Sequence, residues 1–198
     1  MENILFLKII FDFERRINGN LANDLGNLAQ RVFTMTAKYT EGKVPTPGGD
    51  FTKDDEEILR ASEEALQHAQ TLLSTQSLHR YCLAAIDVAT LGNKYIDTEA
   101  PWKLAKSDLA RLNTVLYVLT EVVRRVAVLL EPVMPMSCEK LLDQCGAPPE
   151  MRTFHSIQNK LAPGSLMAKP TPVFPKIVTE TPINSKETTK KSSKKASK

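Results

Sequence analysis

The sequence predicts an all-α fold, a bundle of about five helices. Apolar residues recur every three or four positions over most of the chain, which is the period of a helix that packs on one face. No stretch of useful length alternates apolar and polar residues as a half-buried strand would. The chain has 198 residues, 42% of them hydrophobic, and a chain of this length supports a single core.

The first predicted helix runs from Phe13 to Tyr39. Its apolar stripe consists of Ile17, Leu21, Leu25, Leu28, Val32 and Phe33. At about 100° per residue, Asn23, Asn27 and Arg31 form a polar stripe across the helix, so we expect them to face outward. Gly26 costs about 1 kcal/mol relative to alanine inside a helix, which indicates close packing or a close approach by a partner.

Two further helices follow a loop rich in proline and glycine. The second is expected over Thr52–Leu73, because Thr52 precedes Asp55 by three residues and opens an acidic first turn. The third is expected over Ser77–Thr98. It should stop near Ala100, since Pro101 has a fixed φ and no backbone N–H.

The strongest helical pattern follows Ser107, whose hydroxyl suits an N-cap, and it ends at Glu131. Its apolar stripe is wide, as a central bundle helix requires. Four charged residues lie off that stripe: Arg111, Glu121, Arg124 and Arg125. A shorter fifth helix is expected over Met136–Cys145, closed by Gly146.

Composition divides the chain into four parts. Residues 1–12 form an N-terminal extension without a place in the fold, and residues 13–146 form the helical bundle. Residues 147–178 read as an extended Pro-rich arm, and residues 179–198 as a disordered basic tail. The tail holds six lysines and two glutamates, so the rest of the chain is nearly neutral although the net charge is +3. Any RNA site must therefore be a local patch.

The apolar run Ile4–Phe11 is too short to span a bilayer and lacks the basic start and cleavage site of a signal peptide. We therefore expect no membrane partner. A reducing compartment is indicated because the cysteines form neither a disulfide framework nor a C-x-x-C pair: Cys82, Cys138 and Cys145. We expect a cytoplasmic location, and Arg15 and Arg16 keep the mitochondrial matrix as an alternative.

Trp102 is the single tryptophan of the chain and directly follows the helix break at Pro101. Lys103 and Lys106 flank it. A flat aromatic ring beside two cations suits a stacking platform for an unpaired base. The alternative is that Trp102 caps a hydrophobic core at a chain reversal. The residue pattern by itself leaves both open.

Two motifs resemble segments of methionyl-tRNA synthetases. NKYIDTEAPWKLAK, residues 93–106, is similar to the part of their anticodon-binding domain that includes its tryptophan. LANDLGNLAQR, residues 21–31, is similar to the first helix of that domain. The resemblance extends over roughly residues 15–176 and is strongest to bacterial, alphaproteobacterial-type enzymes. It implies that the chain is a tRNA-anticodon-binding helical domain.

The resemblance also implies the residues that contact RNA. Trp102 matches the tryptophan on which an anticodon base stacks, and Asn27 and Arg31 match the Asn and Arg that contact the anticodon. Asn23, one turn earlier, is a weaker match. The partner implied is the anticodon loop of tRNA(Met). The parent reaction is the ATP-dependent ligation of methionine to that tRNA.

The family's catalytic domain, with HIGH-type and KMSKS-type motifs that contact ATP, has no counterpart in this sequence. Residues 190–194, KKSSK, are only superficially similar to the second motif because they lie in the predicted tail. We expect no catalytic residue, no metal ligand and no activity from the chain alone. ATP, and with it any zinc, would belong to the missing domain.

Because the catalytic domain has no counterpart here, three interpretations of the chain stay open. The chain is the C-terminal part of a synthetase, or one subunit of a split synthetase whose catalytic domain is encoded separately. In the third interpretation it is a helical protein-interaction module that has lost RNA binding.

Overall fold

The computed structural model describes residues 14–177. The predicted all-α class is confirmed, because these residues form helices joined by irregular segments, with one isolated antiparallel bridge between Lys43 and Leu166. Within the same range, no helix is both long and apolar enough to cross a membrane. The predicted extension over residues 1–12 and the predicted tail over 179–198 lie outside the described residues.

Within the described residues the first helix is continuous from Ile17 to Tyr39 and has two parts. A π-helical segment, Ile17–Gly26, leads directly into the α-helix α1, Asn27–Tyr39. The remaining helices are α2 Lys53–Ser74, α3 Leu78–Glu99, α4 Pro101–Ser107, α5 Leu109–Leu130 and α6 Pro135–Gln144. After α6 the chain becomes irregular, with short 3₁₀ turns at Pro149–Met151 and Phe154–Ser156.

The helix ends follow the sequence signals with one correction. Thr52 and Asp55 form a capping box, in which the Thr52 N–H donates to Asp55 Oδ2 at 2.9 Å. The prediction that Ser107 caps the long helix is wrong, because Asp108 holds that position and its Oδ1 accepts from the Arg111 N–H at 2.9 Å. Ser107 is the last residue of α4, and its hydroxyl donates to the Lys103 carbonyl.

The helix α5 lies at the centre of the bundle and packs against α2, α3 and α6. Its side chains from Leu112 to Leu130 are almost all buried. This includes Glu121, Arg124 and Arg125, which lie off the apolar stripe and yet have no exposed surface. Residues 151–161 cover Glu121 and Arg124, and α2 covers Arg125. Amphipathic periodicity within one helix cannot show that other segments bury these side chains.

The buried charges of α5 bind the irregular segment directly. Arg124 pairs with Glu121 at 2.9 Å. Its remaining N–H groups donate to the carbonyls of Met151, Ser156, Ile157 and Asn159 at 2.7–3.3 Å. Glu121 in turn accepts from the backbone N–H of Leu161. The arm is therefore part of the folded core as far as Leu161.

The end of the arm packs against the first helix. Val173 and Phe174 are half-buried against the core. A Cβ at Gly26 would lie 3.4 Å from Phe174 Cβ, so this segment makes the close approach that the glycine indicates. Farther on, the Asn18 side chain pairs with the backbone of Ile177 through two hydrogen bonds of 2.8 Å.

A second charged cluster joins α2, α3 and α5. The carboxylate of Asp55 is fully buried and accepts from Arg111 Nη1 and Nη2 at 2.5 and 2.9 Å. It also accepts from the Tyr95 hydroxyl, and Arg111 pairs with Glu99 at 2.9 Å. Burial alone would raise the pKa of Asp55, but the hydrogen bonds from Arg111 and Tyr95 hold it below its ordinary value of 3.8.

Replacing Asp55 with asparagine is expected to lower the free energy of unfolding by about 3–5 kcal/mol near neutral pH, because Arg111 and Tyr95 lose a charged partner. Since the folded-state pKa of Asp55 is lowered, this stabilisation is complete above the ordinary pKa of 3.8 and disappears as the pH falls through the folded value. Urea unfolding of both proteins between pH 3 and 7 measures the difference.

The matched control for Asp55→Asn is Asp54→Asn, which removes the same charge from an exposed position in the same turn. It should change stability by less than about 1 kcal/mol. An equal effect of the two substitutions, or a difference that stays constant down to pH 3, contradicts this account of the cluster.

Candidate nucleic-acid interface

Arg31 and Trp102, which are distant in sequence, meet on the surface of the bundle. The guanidinium carbon of Arg31 lies 5.5 Å from the centroid of the Trp102 ring, which is a cation–π contact. The same guanidinium donates from Nη2 to Asp97 Oδ1 at 2.6 Å. Two residues predicted from separate motifs therefore lie at one place, and Asp97 holds the cation beside the ring.

Trp102 is accessible at this place. Its side chain is 44% exposed, so it lies outside the buried core rather than capping it. Lys103 and Lys106, which flank the ring in sequence, are also exposed. The surface thus offers an aromatic face beside the Arg31 guanidinium, with two exposed lysines on the same short helix. Aromatic faces combined with nearby cations bind unpaired bases and the adjoining phosphates.

The corner between α3 and α4 fixes the position of the ring. Ala100 adopts a left-handed conformation with φ of 46°, which ends α3, and Pro101 starts α4. Just before the corner, Glu99 is held by Arg111, and just after it Leu104 packs against the core. Because both sides of the corner are attached to the bundle, Trp102 is presented in a defined orientation.

Asn27 and Asn23 are exposed on the first helix, as predicted. Asn27 lines a small cleft of about 110 Å³ together with Gln30, Phe174 and Lys176. Asn23 lies in the π-helical segment, whose turns are wider than the α-helical turn assumed in the prediction. Asn27 is therefore one turn from Arg31 on a regular helix, and Asn23 is offset from that line.

Two further residues at this surface are not predictable from the sequence. Asp97 belongs to the NKYIDTEAPWKLAK motif, but nothing in the spacing shows that it pairs with Arg31 across 66 residues. Lys176 adds a cation to the cleft beside Asn27, and it comes from the arm. Both positions depend on tertiary packing, so helical periodicity could not reveal them.

The geometry supports binding of a flat, charged ligand. The guanidinium of Arg31 uses Nη2 for Asp97, and its other N–H groups can fork to a base edge or a phosphate. The Trp102 ring supplies a face for stacking. Among residues 14–177 there is no group of three or more His, Cys, Asp or Glu side chains placed to hold a metal ion.

Comparison with known proteins decides the family. The model of the anticodon-binding domain of methionyl-tRNA ligase matches residues 44–192. The chain belongs to this family. An anticodon-binding domain of a tRNA ligase is a tRNA-binding module. The all-α fold of this chain is the fold of the region that it matches in its solved relatives.

Relatives with the name methionine–tRNA ligase match most of the chain. The protein of Brucella melitensis biotype 1 is 46% identical over 164 residues, which are 82% of this chain and 32% of the relative. The protein of Mycobacterium bovis is 42% identical over 165 residues, 81% of this chain and 32% of the relative. The chain therefore spans about one third of the length of the curated relatives it matches.

Solved structures agree with this assignment. The ligand-free methionyl-tRNA synthetase of Mycobacterium tuberculosis superposes with a TM-score of 0.81 at 40% identity, over 84% of this chain and 34% of that one. The same enzyme bound to methionyl-adenylate superposes with a TM-score of 0.78 at 41% identity, over 81% of this chain and 32% of that one.

Replacing Trp102 with alanine is expected to leave the bundle folded, because the ring is partly exposed and lies on a seven-residue helix at the surface. We expect a loss of at most about 1–2 kcal/mol in the free energy of unfolding, well below the 3–5 kcal/mol typical of a buried tryptophan. Circular dichroism during urea unfolding measures this. A loss of helical signal at 25 °C would show that Trp102 is a core residue.

Proposed function

We propose that this domain binds the anticodon loop of tRNA(Met), with an anticodon base stacked on Trp102. Arg31 and Asn27 contact the anticodon, and Asn23 lies at the edge of the site. The observation that carries the proposal is the contact of Arg31 with the exposed Trp102 ring at 5.5 Å, which joins the two motifs of the family in one surface.

The site suits recognition of one sequence because its main groups are directional. An asparagine amide both donates and accepts, and the planar fork of Arg31 is held in place by Asp97. Such groups read base edges, whereas Lys103, Lys106 and Lys176 act as point charges toward phosphates. The overall charge of the bundle is nearly neutral, so this local arrangement must supply the specificity.

We also propose that the domain supplies tRNA recognition to the ligation of methionine to tRNA(Met). A catalytic domain, in the same polypeptide or encoded separately, supplies the ATP chemistry. This proposal rests on the names of the relatives and on the third of their length that the chain spans.

Trp102→Ala is expected to weaken the binding of a stem-loop with a CAU anticodon by about 5- to 150-fold, since the loss of one base stack costs about 1–3 kcal/mol. Fluorescence anisotropy with a labelled stem-loop at fixed salt measures the affinity. The control is Leu166→Ala, which truncates a 77% exposed apolar side chain on the arm. Equal affinities of Trp102→Ala and the parent protein would refute the stacking role.

Arg31→Ala is expected to reduce both the affinity and the preference for CAU over a changed anticodon. Arg31→Lys keeps the charge and loses the fork, so it should retain part of the affinity while the preference falls. Arg60→Ala is the control, because Arg60, like Arg31, reaches the surface of a helix and pairs with a carboxylate, in its case Glu64 at 3.2 Å. If Arg60→Ala lowers anticodon preference as much as Arg31→Ala does, the effect is one of total charge.

Deleting residues 179–198 is expected to flatten the salt dependence of RNA binding and to leave anticodon preference unchanged. Each tail lysine that contacts a phosphate contributes about 0.7–0.9 to the slope of log K against log salt. The tail follows Ile177, the last described residue, which hydrogen-bonds to Asn18. Asn18 precedes Arg31 by 13 residues, so the start of the tail lies roughly 20 Å from Arg31 along the helix. Affinities for matched and changed anticodons at several salt concentrations test this. If preference disappears with the tail, the proposed site is misplaced.

A further inference from the structure

The last two turns of α1 extend past the end of α3. The two helices lie side by side and run in the same direction, because Leu28 of α1 lies against Gly92 of α3 and Arg31 pairs with Asp97 farther along both. The helix α3 ends two residues after Asp97, whereas α1 continues for eight residues after Arg31, as far as Tyr39. The end of α1 therefore projects beyond α3, on the side where α4 begins.

The helices that meet at this place are cationic. The helix α1 contains two basic residues and no acidic residue, and the same is true of α4. In contrast, α2 contains six acidic and two basic residues. Glu41, which follows α1 in the chain, pairs with Lys43 at 3.5 Å. An RNA strand bound at Trp102 is therefore attracted along α1 and α4 rather than toward α2.

An aromatic ring with a cation over it lies at the end of α1. Lys38 Nζ is 5.0 Å from the centroid of the Tyr39 ring, a cation–π contact of the same kind as that of Arg31 with Trp102. Lys38 is exposed and Tyr39 is half-buried. At about 100° per residue, Tyr39 lies about 80° around α1 from Arg31, toward Leu28, which contacts α3. The Tyr39 ring is therefore on the α3 side of α1, past the end of α3.

We propose that Tyr39 and Lys38 form a second stacking site, which binds an unpaired base of the anticodon loop outside the anticodon itself. This inference rests on the proposed anticodon site at Arg31 and Trp102. Eight helical residues separate Tyr39 from Arg31 by about 12 Å, whereas stacked nucleotides of one strand rise about 3.4 Å each, so a stacked triplet spans about 7 Å. A base on Tyr39 therefore lies beyond the triplet, and Lys38 contacts the adjoining phosphate.

The second stacking site adds affinity without reading the anticodon. Stacking on an aromatic ring tolerates any base, because every base has a π-face, and a lysine acts on phosphate as a point charge. The choice among anticodons stays with the directional groups of Arg31 and Asn27. Contact of one strand with both Trp102 and Tyr39 also fixes the direction in which the loop crosses the surface.

The first test replaces Tyr39 with leucine, which keeps an apolar side chain and removes the aromatic face. Binding of the CAU stem-loop is expected to weaken by about 5- to 150-fold, the usual effect of losing one base stack, while the preference for CAU over a changed anticodon stays the same. Tyr39→Phe is the control, because it keeps the ring and should bind like the parent protein. Fluorescence anisotropy measures the affinities, and circular dichroism checks the helical content. Equal affinities of Tyr39→Leu and Tyr39→Phe would overturn the proposal.

The second test changes the RNA and leaves the protein intact. Removing the base from one loop nucleotide at a time is expected to identify a position outside the CAU triplet where the loss weakens binding to the parent protein by about 5- to 150-fold. The same abasic RNA should lose little further affinity with Tyr39→Leu, because base and ring belong to one contact. Abasic nucleotides within the triplet should weaken binding to both proteins. If no position outside the triplet couples to Tyr39→Leu, the inference is wrong.

The third test concerns the phosphate contact of Lys38. Lys38→Gln is expected to lower the slope of log K against log salt by about 0.7, the value for one contact with a single strand. A lysine in the last turn also stabilises a helix through its dipole, but that role leaves the salt dependence of RNA binding unchanged. Lys140→Gln is the control, because Lys140 is exposed on α6, which packs against α5. Equal slopes for the two variants would contradict the contact.

Trp102→Ala, measured in parallel, separates this inference from the proposed function. If Trp102→Ala weakens binding of the CAU stem-loop and Tyr39→Leu does not, the second stacking site is wrong and the anticodon site stands. If neither substitution weakens binding, both are wrong. Weaker binding of both variants, with coupling of Tyr39→Leu to a base outside the triplet, is the expected result.

Discussion

Three fully buried charged side chains on the central helix, Glu121, Arg124 and Arg125, determine how the rest of the chain is arranged. Removing such groups from water costs several kcal/mol each unless they find partners. Arg124 binds Glu121 and carbonyls of the irregular arm, and Arg125 donates to the Leu59 carbonyl and the Ser62 hydroxyl of α2. The core thus requires a segment without regular structure. The backbone carbonyls of this segment are free to accept hydrogen bonds from Arg124, whereas carbonyls inside a helix already accept from the helix backbone.

The fixed centre of the bundle also explains why the candidate site can be preorganised. Arg111 on α5 holds Asp55 of α2 and Glu99 at the end of α3, so the corner before Trp102 is attached to two other helices. Arg31 reaches the ring from the first helix, and Asp97 holds it there. The proposed RNA surface therefore needs no ordering of its own backbone on binding, which would remove part of the entropic cost of association.

The sequence predicts what a single helix determines and misses what depends on packing between distant segments. The break at Pro101, the Thr52 capping box and the outward faces of Asn27 and Arg31 depend on local geometry, and they were predictable. The Arg31–Asp97 pair joins residues 66 apart, and the burial of Arg124 depends on carbonyls from an aperiodic segment. The N-cap at Asp108 was missed because Ser107 has the same capping chemistry, and only the extended backbone of Asp108 decides between them.

The two ends of the first helix present different surfaces, one apolar and one polar. At its start, Ile17 and Leu21 line an apolar groove. In α1, the exposed Asn27 and the half-buried Arg31 face the proposed RNA surface. The π-helical segment lies before this polar face, and its wider turns change the rotation per residue from that of an α-helix. Asn93 donates to the Asp24 carbonyl within that segment at 2.9 Å, which ties it to α3. The packing of α3 against the first helix thus sets the orientation of the polar face relative to the apolar one.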